Sequence, residues 1–173
     1  MTHYKSWSGL NKQLIDCLCD PLKDRVSYFL TRYHDVHNSY GRAAILLDKK
    51  ELVCFSWTKM QEQEYEVFKI HSGTYIKSGK RISYDEIRDR IRSRWDENCT
   101  YHEKDFLCAA TGFLQLNIAD ALKSGDLIIR IFAVMDKRVG KRTLQAIKCD
   151  GEYRALPEWV KQFYELRFKI SGI

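Results

Sequence analysis

The sequence has little that would interrupt or anchor a folded chain. Two prolines and nine glycines in 173 residues are too few for a long linker or a low-complexity segment. No apolar run approaches the roughly 18 residues of a membrane-spanning helix, and the N-terminal MTHYKSWSGL lacks the apolar core of a secretory signal. We therefore expect a single domain over residues 1–173, located in the cytoplasm and without a membrane partner.

Cysteine pairs with metal-site or disulfide spacing are also missing. The six cysteines include no C-x-x-C pair, so we interpret them as reduced thiols, several of them in the core. Two stretches have ligand-type residues close together, His34 with His37 and Cys99 with His102, but each lacks the second half that a zinc site requires. The sequence therefore predicts neither a metal nor a cofactor.

The overall balance of residues is that of a soluble domain with excess positive charge. Hydrophobic residues make up 45% and charged residues 30%, which is ordinary for a globular protein. The formal net charge is +6 and the pI is near 9.0. Such a charge favours an anionic partner, and nucleic acid is the first candidate.

The first third of the chain predicts one helix followed by three strands. Ser8 is a suitable N-cap, and apolar residues from Leu10 to Leu18 recur at helical spacing until Cys19, where Asp20-Pro21 is expected to stop the helix. β-Branched and aromatic residues dominate Arg25–His34 and alternate between its two faces, which predicts a strand. Two further strands are predicted at Arg42–Leu47 and Leu52–Trp57. Short connections between them indicate an antiparallel meander, with the helix on one face.

The remainder is predominantly helical in pattern. Caps and 3.6-residue periodicity predict helices at Thr58–Phe68, Ser83–Trp95, Glu103–Leu116, Asn117–Lys123 and from Pro157 onward, with a mobile loop at residues 72–82. The predicted fold class is therefore α+β: an N-terminal helix on a short three-stranded antiparallel meander, followed by a mostly helical C-terminal half.

Residues 127–148 allow two interpretations. One apolar stripe at helical spacing favours a buried helix capped by Asp126, and it consists of Ile128, Ile131, Phe132, Met135 and Val139. A β-hairpin turning at Val139-Gly140 is the alternative, although apolar residues occur on both parities of its first strand. We favour the helix.

A basic cluster follows that stripe and is the main candidate site. Lys137, Arg138, Lys141 and Arg142 surround Gly140, where cations could contact phosphates and glycine would permit close backbone approach. The alternative is a helix C-terminus, where cations favour the dipole and glycine closes the turn. The cluster is not a P-loop, because Met135 stands where that motif needs its first glycine.

The predicted helix at Ser83–Trp95 supplies a second basic element. Its arginines include Arg88 and Arg92 on one flank, which could line a groove for a polyanion. Alternatively the run is a solvated face, paired with acidic residues of the same helix. Both basic elements would have more weight if they shared one surface.

Other function classes rest on weaker patterns. A metal-dependent hydrolase could recruit Asp35, Asp48 and Lys50, and Cys19 with His34 could form a nucleophile pair. The 13% aromatic content is high and is compatible with a protein-interaction or homodimeric module. The leading prediction is a non-enzymatic protein that binds an anionic partner.

Two pairs of motifs resemble a known group of proteins. W-S-G-L-x-K-Q-L and R-V-x-Y-F-x-T-x-Y stand near the N-terminus, and D-x-R-V-G-K-R-x-L and P-E-W-V-x-x-F-Y-x-L-R stand in the C-terminal half. In this order they resemble a family of short, uncharacterised bacterial proteins. The resemblance spans nearly the whole chain and implies a bacterial cytosolic domain. No activity is assigned to the family, so it transfers no site residue.

Overall fold

A computed structural model describes residues 6–31, 41–62, 65 and 95–173. In chain order its elements are α1 (Trp7–Cys17), α2 (Asp20–Lys23), β1 (Val26–Thr31), β2 (Arg42–Leu47), β3 (Lys50–Ser56), α3 (Trp95–Asn98), α4 (Glu103–Gln115), α5 (Ile118–Leu122), α6 (Leu127–Met135), α7 (Lys141–Cys149), α8 (Gly151–Arg154) and α9 (Glu158–Ser171). Residues 57–62 are helical as well. This arrangement confirms the predicted α+β class, with helix, three-stranded sheet and helical C-terminal half in that order.

The first helix begins and ends slightly earlier than the sequence predicts. Its N-cap is Ser6 rather than Ser8, because the Ser6 hydroxyl accepts the Gly9 amide at 3.2 Å. Asp20 and Pro21 do not act as a stop after Cys19, and instead they open α2. Proline is suited to that first turn, where its missing N–H would have no helical partner.

The sheet is the expected antiparallel meander, in the order β1-β2-β3. Along β1, Val26 and Tyr28 are buried, whereas Ser27 and Phe29 are exposed, as strand alternation requires. The β2–β3 turn contains only Asp48 and Lys49, both with positive φ, the backbone that matches the twist of a two-residue hairpin. The third strand ends at Ser56, one residue before the predicted Trp57.

Aromatic rings join the sheet to the helices behind it. The ring of Phe106 on α4 lies 6.3 Å from that of Tyr28, 5.4 Å from Phe55 and 5.6 Å from Phe132 on α6. These are separations at which aromatic pairs attract beyond simple burial. The meander and two C-terminal helices therefore share one core.

The centre of that core is α6. Asp126 caps it, accepting the amides of Ile128 and Ile129 at 2.8 and 3.2 Å. Eight of its nine residues are buried, which explains why apolar residues occur on every side of it. The helical interpretation of this stretch is confirmed and the hairpin is wrong, since residues 141–149 form a second helix. Val139 is not part of the helical stripe. The helix stops at Met135, and Val139 is buried in the following turn.

The later boundaries fall close to their predicted positions. Helix α4 ends at Gln115 rather than Leu116, and the Asn117 side chain caps α5. Pro157 is the N-cap of α9 rather than its first residue, and Gly172 closes that helix with a φ of 64°. The predicted helix at Ser83–Trp95, except its last residue, the predicted loop at 72–82 and the end of the Thr58–Phe68 helix lie outside the described residues.

No helix in the described part of the chain combines the length and apolar character needed to cross a membrane.

Candidate functional site

The turn between α6 and α7 is joined to the end of α1. The Cys19 amide donates to the Met135 carbonyl at 3.0 Å, and the Lys137 amide donates to the Cys17 carbonyl at 2.8 Å. Leu18 and Asp136 thereby form an isolated antiparallel bridge. The basic cluster is thus fixed to a segment more than a hundred residues earlier in the chain.

Asp136 organises the first half of the turn. Its carboxylate is fully buried and accepts the Arg138 amide at 2.7 Å. The Arg138 guanidinium binds the same carboxylate through Nε at 3.0 Å and Nη2 at 2.8 Å. This bidentate hydrogen bonding raises the pKa of Arg138 above its ordinary value. The charge of Arg138 is therefore largely committed to a buried internal partner.

Lys137 is also used internally. Its ammonium group donates to the Asp16 carbonyl oxygen at 2.8 Å, and Asp16 lies in the last turn of α1. A lysine in that position satisfies a helix C-terminal carbonyl and complements the negative end of the dipole. The helix C-terminal interpretation of the basic cluster therefore applies to Lys137, although at the end of α1 rather than of α6.

The second half of the cluster has a different environment. Lys141 and Arg142 are exposed and occupy the first turn of α7, and neither forms an ion pair with any residue that the structure describes. Gly140 is the N-cap, and no side chain caps the helix. The C-terminal interpretation is wrong for these three residues, because they stand at the positive end of a dipole.

Gly140 is not required by backbone geometry. Its φ of −80° is accessible to any residue, and a Cβ at this position would meet no atom within 4 Å. The surface here is open. A shallow groove of about 350 Å³ lies elsewhere, between α1 and α4, and its polar lining consists of neutral groups such as Gln13, Thr111 and Gln115. That groove offers no charge to an anion.

A buried arginine of the last helix donates a hydrogen bond to the end of the turn. Arg167 of α9 is 7% exposed and donates from Nη2 to the Val139 carbonyl at 2.9 Å and from Nη1 to the Ser171 hydroxyl at 2.7 Å. No carboxylate among the described residues pairs with it. Sequence reasoning missed this residue. The only signal was its position at the end of the P-E-W-V-x-x-F-Y-x-L-R motif.

The other predicted site residues, Arg88 and Arg92, lie outside the described residues. Their assignment to an anion-binding site therefore stays a prediction.

The catalytic alternatives gain no support from the described residues. Burial raises the pKa of both Cys17 and Cys19, the opposite of what a thiolate nucleophile needs. The Arg25 guanidinium binds both carboxylate oxygens of Asp48 and lowers the pKa of that carboxyl. Within the described ranges no three His, Cys, Asp or Glu side chains are grouped so as to hold a metal ion. Asp35 and His34, which those alternatives also need, lie outside these ranges.

Two of the motifs that carry the family resemblance meet in this region, together with the end of the helix that carries a third. The end of the N-terminal motif helix, the 136–142 turn and Arg167 of the last motif are joined by the contacts described above. No curated protein and no solved structure matches the chain. A family model does match it, over residues 6–168. The chain belongs to the SF0329 protein family.

Proposed function

We propose that the protein is a non-enzymatic binding protein for a polyanion, with nucleic acid as the partner, and that it binds through Lys141 and Arg142 at the start of α7. One observation carries the proposal. Two exposed cations, which form no ion pair with the described residues, occupy the first turn of a helix whose N-cap contributes no side chain. The basic overall charge of +6 acts in the same direction.

The charges in the first turn of α7 have the sign that the helix dipole disfavours. A cation near a helix N-terminus is unfavourable by about 0.3–1 kcal/mol, because the dipole there is positive. Lys141 and Arg142 therefore oppose α7 in the free protein. A phosphate group at this end would interact favourably with the dipole, the uncapped amides and both side chains. Local conflicts of this kind are common at functional sites.

The remaining cations of the cluster support the geometry of the site. Arg138 holds Asp136 and Lys137 holds the end of α1, so they fix the turn from which α7 begins. The proposal thus divides the four basic residues into two positioning residues and two binding residues. The six free cysteines support a reducing compartment, in keeping with action in a bacterial cytoplasm.

The test is fluorescence anisotropy with labelled oligonucleotides, single- and double-stranded, over a series of salt concentrations. Each neutralised phosphate contributes about −0.9 to the slope of log K against log salt on duplex DNA. The Lys141→Ala/Arg142→Ala variant should lose about 0.9 of that slope for each of the two cations that contacts a phosphate. Affinity at low salt should fall for every sequence tested.

A matched control separates local contacts from net charge. Lys104 and Lys123 are also exposed, so a Lys104→Ala/Lys123→Ala variant removes the same two charges from other helices. This control should keep nearly all of the affinity and slope. Equal losses in both double variants would mean that only the total charge matters, and the absence of binding at low salt would refute the proposal.

A homodimeric module is the second candidate function. The observation in its favour is Phe29, which is 43% exposed on the outer face of the sheet and lies 5.6 Å from the Arg42 guanidinium. Light scattering on the protein and on a Phe29→Ser variant tests it. A dimer that dissociates in the variant would support this role.

A further inference from the structure

Helix α7 contacts the body of the protein along one side only. Leu144 is fully buried and Ile147 is half-buried, whereas the other seven residues are exposed. At 100° per residue, the side opposite Leu144 presents Arg142, Ala146 and Cys149, and Gln145 lies on the flank of that side, 100° from Leu144 and next to Arg142. The result is a continuous outward face along the length of the helix.

The chemistry of this face is suited to reading bases. Arginine pairs bidentately with guanine and glutamine with adenine in the major groove of DNA. Arg142 and Gln145 are three residues apart and therefore neighbours on the helix surface. Neither forms a hydrogen bond or ion pair with another described side chain. Both are free to contact a partner.

The charge along α7 fixes its orientation toward a polyanion. The helix carries Lys141, Arg142 and Lys148 and no carboxylate, whereas Asp150 and Glu152 follow its C-terminus. A phosphate backbone is therefore attracted most strongly to the N-terminal end, because at the other end Lys148 is offset by Asp150, and Glu152 pairs with Arg130 at 3.7 Å. Recognition helices likewise place their N-terminal residues against base edges.

The width of α7 and the position of the large exposed aromatic side chains away from it favour a DNA duplex over other nucleic acids. An α-helix with its side chains is about 10–12 Å wide and fits the roughly 12 Å major groove of B-DNA. The major groove of duplex RNA is too deep and narrow for such an approach. Single strands are bound by stacking bases on exposed rings, and the large exposed aromatic side chains in the described residues, Phe29 and Tyr65, are not on α7 or the 136–140 turn.

Resting on the function proposed above, we infer that α7 docks in the major groove of duplex DNA. Arg142 and Gln145 contact base edges there, and Lys141 contacts the adjacent phosphate backbone. The bonds that hold the 136–140 turn to α1 and α9 present the helix in a fixed position. Little conformational entropy is then lost on docking.

The experiment uses the full chain and three probes of matched sequence: duplex DNA, single-stranded DNA and duplex RNA. Selection from a pool of DNA duplexes with a randomised centre then measures sequence preference. We expect tightest binding to duplex DNA and enrichment of a defined sequence. Loss of a bidentate base contact should cost about 5- to 150-fold in preference for that sequence.

The variants distinguish base contacts from phosphate contacts. Gln145→Ala removes no charge, and Arg142→Lys keeps its charge while losing bidentate geometry. Both should lower the ratio of the affinity for the selected duplex to the affinity for an unselected duplex. Lys141→Ala should weaken binding to all sequences equally and reduce the salt slope by about 0.9. All three positions are exposed, and circular dichroism verifies that the variants fold.

Two results would overturn the inference while keeping the proposed function. The first is that the protein binds all three probes with the same affinity and the same salt dependence. The second is that Gln145→Ala and Arg142→Lys both keep the sequence preference of the unmodified protein. If none of the probes binds at low salt, the inference and the proposed function fail together.

Discussion

The guanidinium of Arg167 donates a 2.9 Å hydrogen bond to the carbonyl oxygen of Val139, 28 residues earlier in the chain. This carbonyl immediately precedes Gly140, the residue from which α7 begins. The last helix therefore fixes the point at which the candidate binding helix leaves the core. Because both residues are buried, water cannot replace the bond if it is broken.

Loss of this bond should destabilise the fold measurably. In Arg167→Ala the Val139 carbonyl is left without its donor, and we expect the free energy of unfolding to fall by on the order of 1–3 kcal/mol in urea titrations. Ser171→Ala removes only the second partner of Arg167, at the end of α9, and should cost less than about 1 kcal/mol. Equal losses of stability in the two variants would mean that the hydrogen bond to Val139 adds nothing beyond the bond to Ser171.

Gly140 provides a test that separates stability from binding. Its backbone suits any residue and its Cβ position is open, so Gly140→Asp should cap α7. The free energy of unfolding should rise by a few tenths of a kcal/mol from the cap and by about 0.3–1 kcal/mol from the negative charge at the positive end of the dipole. The same carboxylate opposes an incoming phosphate, so oligonucleotide affinity should decrease. Gly140→Ser caps without a charge and should lose less affinity. If Gly140→Asp stabilises the fold and binds normally, the partner does not approach this end of α7.

Two glycines should respond oppositely to alanine. A Cβ on Gly41 would lie 2.7 Å from the Thr31 carbonyl oxygen and 2.9 Å from Glu103 Cγ, so Gly41→Ala should lower the free energy of unfolding by about 1–3 kcal/mol. Within α4, a Cβ on Gly112 would make an ordinary 3.5 Å contact with Ile129. Gly112→Ala should therefore raise stability by up to about 1 kcal/mol. Thermal or urea unfolding of the two variants compares them directly.

The cysteines should differ in reactivity toward a thiol reagent at neutral pH. Cys108 and Cys149 are exposed, whereas Cys19 and Cys99 are buried. Burial also raises the pKa of Cys99 to about 12, which suppresses the reactive thiolate. Colorimetric titration should show Cys108 and Cys149 modified first and Cys99 modified only after unfolding. Rapid modification of Cys99 in the native protein would contradict its burial.

The raised pKa of Cys99 also predicts a loss of stability in alkali. The folded state retains the thiol proton up to about pH 12, while the unfolded state loses it near the ordinary value of 9.0. The contribution is therefore fully present below about pH 9 and is lost as the pH rises toward 12. Urea titrations at several pH values measure it. In Cys99→Ser the decline should be shallower, and an unchanged slope would assign it to other groups.

Much of the fold follows from local patterns in the sequence. Alternation predicted the first strand because one face of it packs on the core, with Val26 and Tyr28 buried. Helical spacing predicted α4 and α6 because each presents apolar residues to that core. The boundary errors at Ser8, Asp20-Pro21 and Val139 have one cause. Capping and turn residues can pair with the backbone hydrogen-bonding groups at several neighbouring positions, and the local sequence does not select among these positions.

The sequence by itself determined that a basic segment follows a buried helix. Only the tertiary structure decided which of its cations are available to a partner. Lys137 is engaged by the Asp16 carbonyl, 121 residues away, and Arg138 by the Asp136 carboxylate, whose burial depends on packing against the rest of the chain. Lys141 and Arg142 are exposed in the first turn of α7, and Arg167 binds the Val139 carbonyl just before it. Contacts between residues so far apart leave no periodic pattern in the sequence, so only the packed tertiary structure determines them.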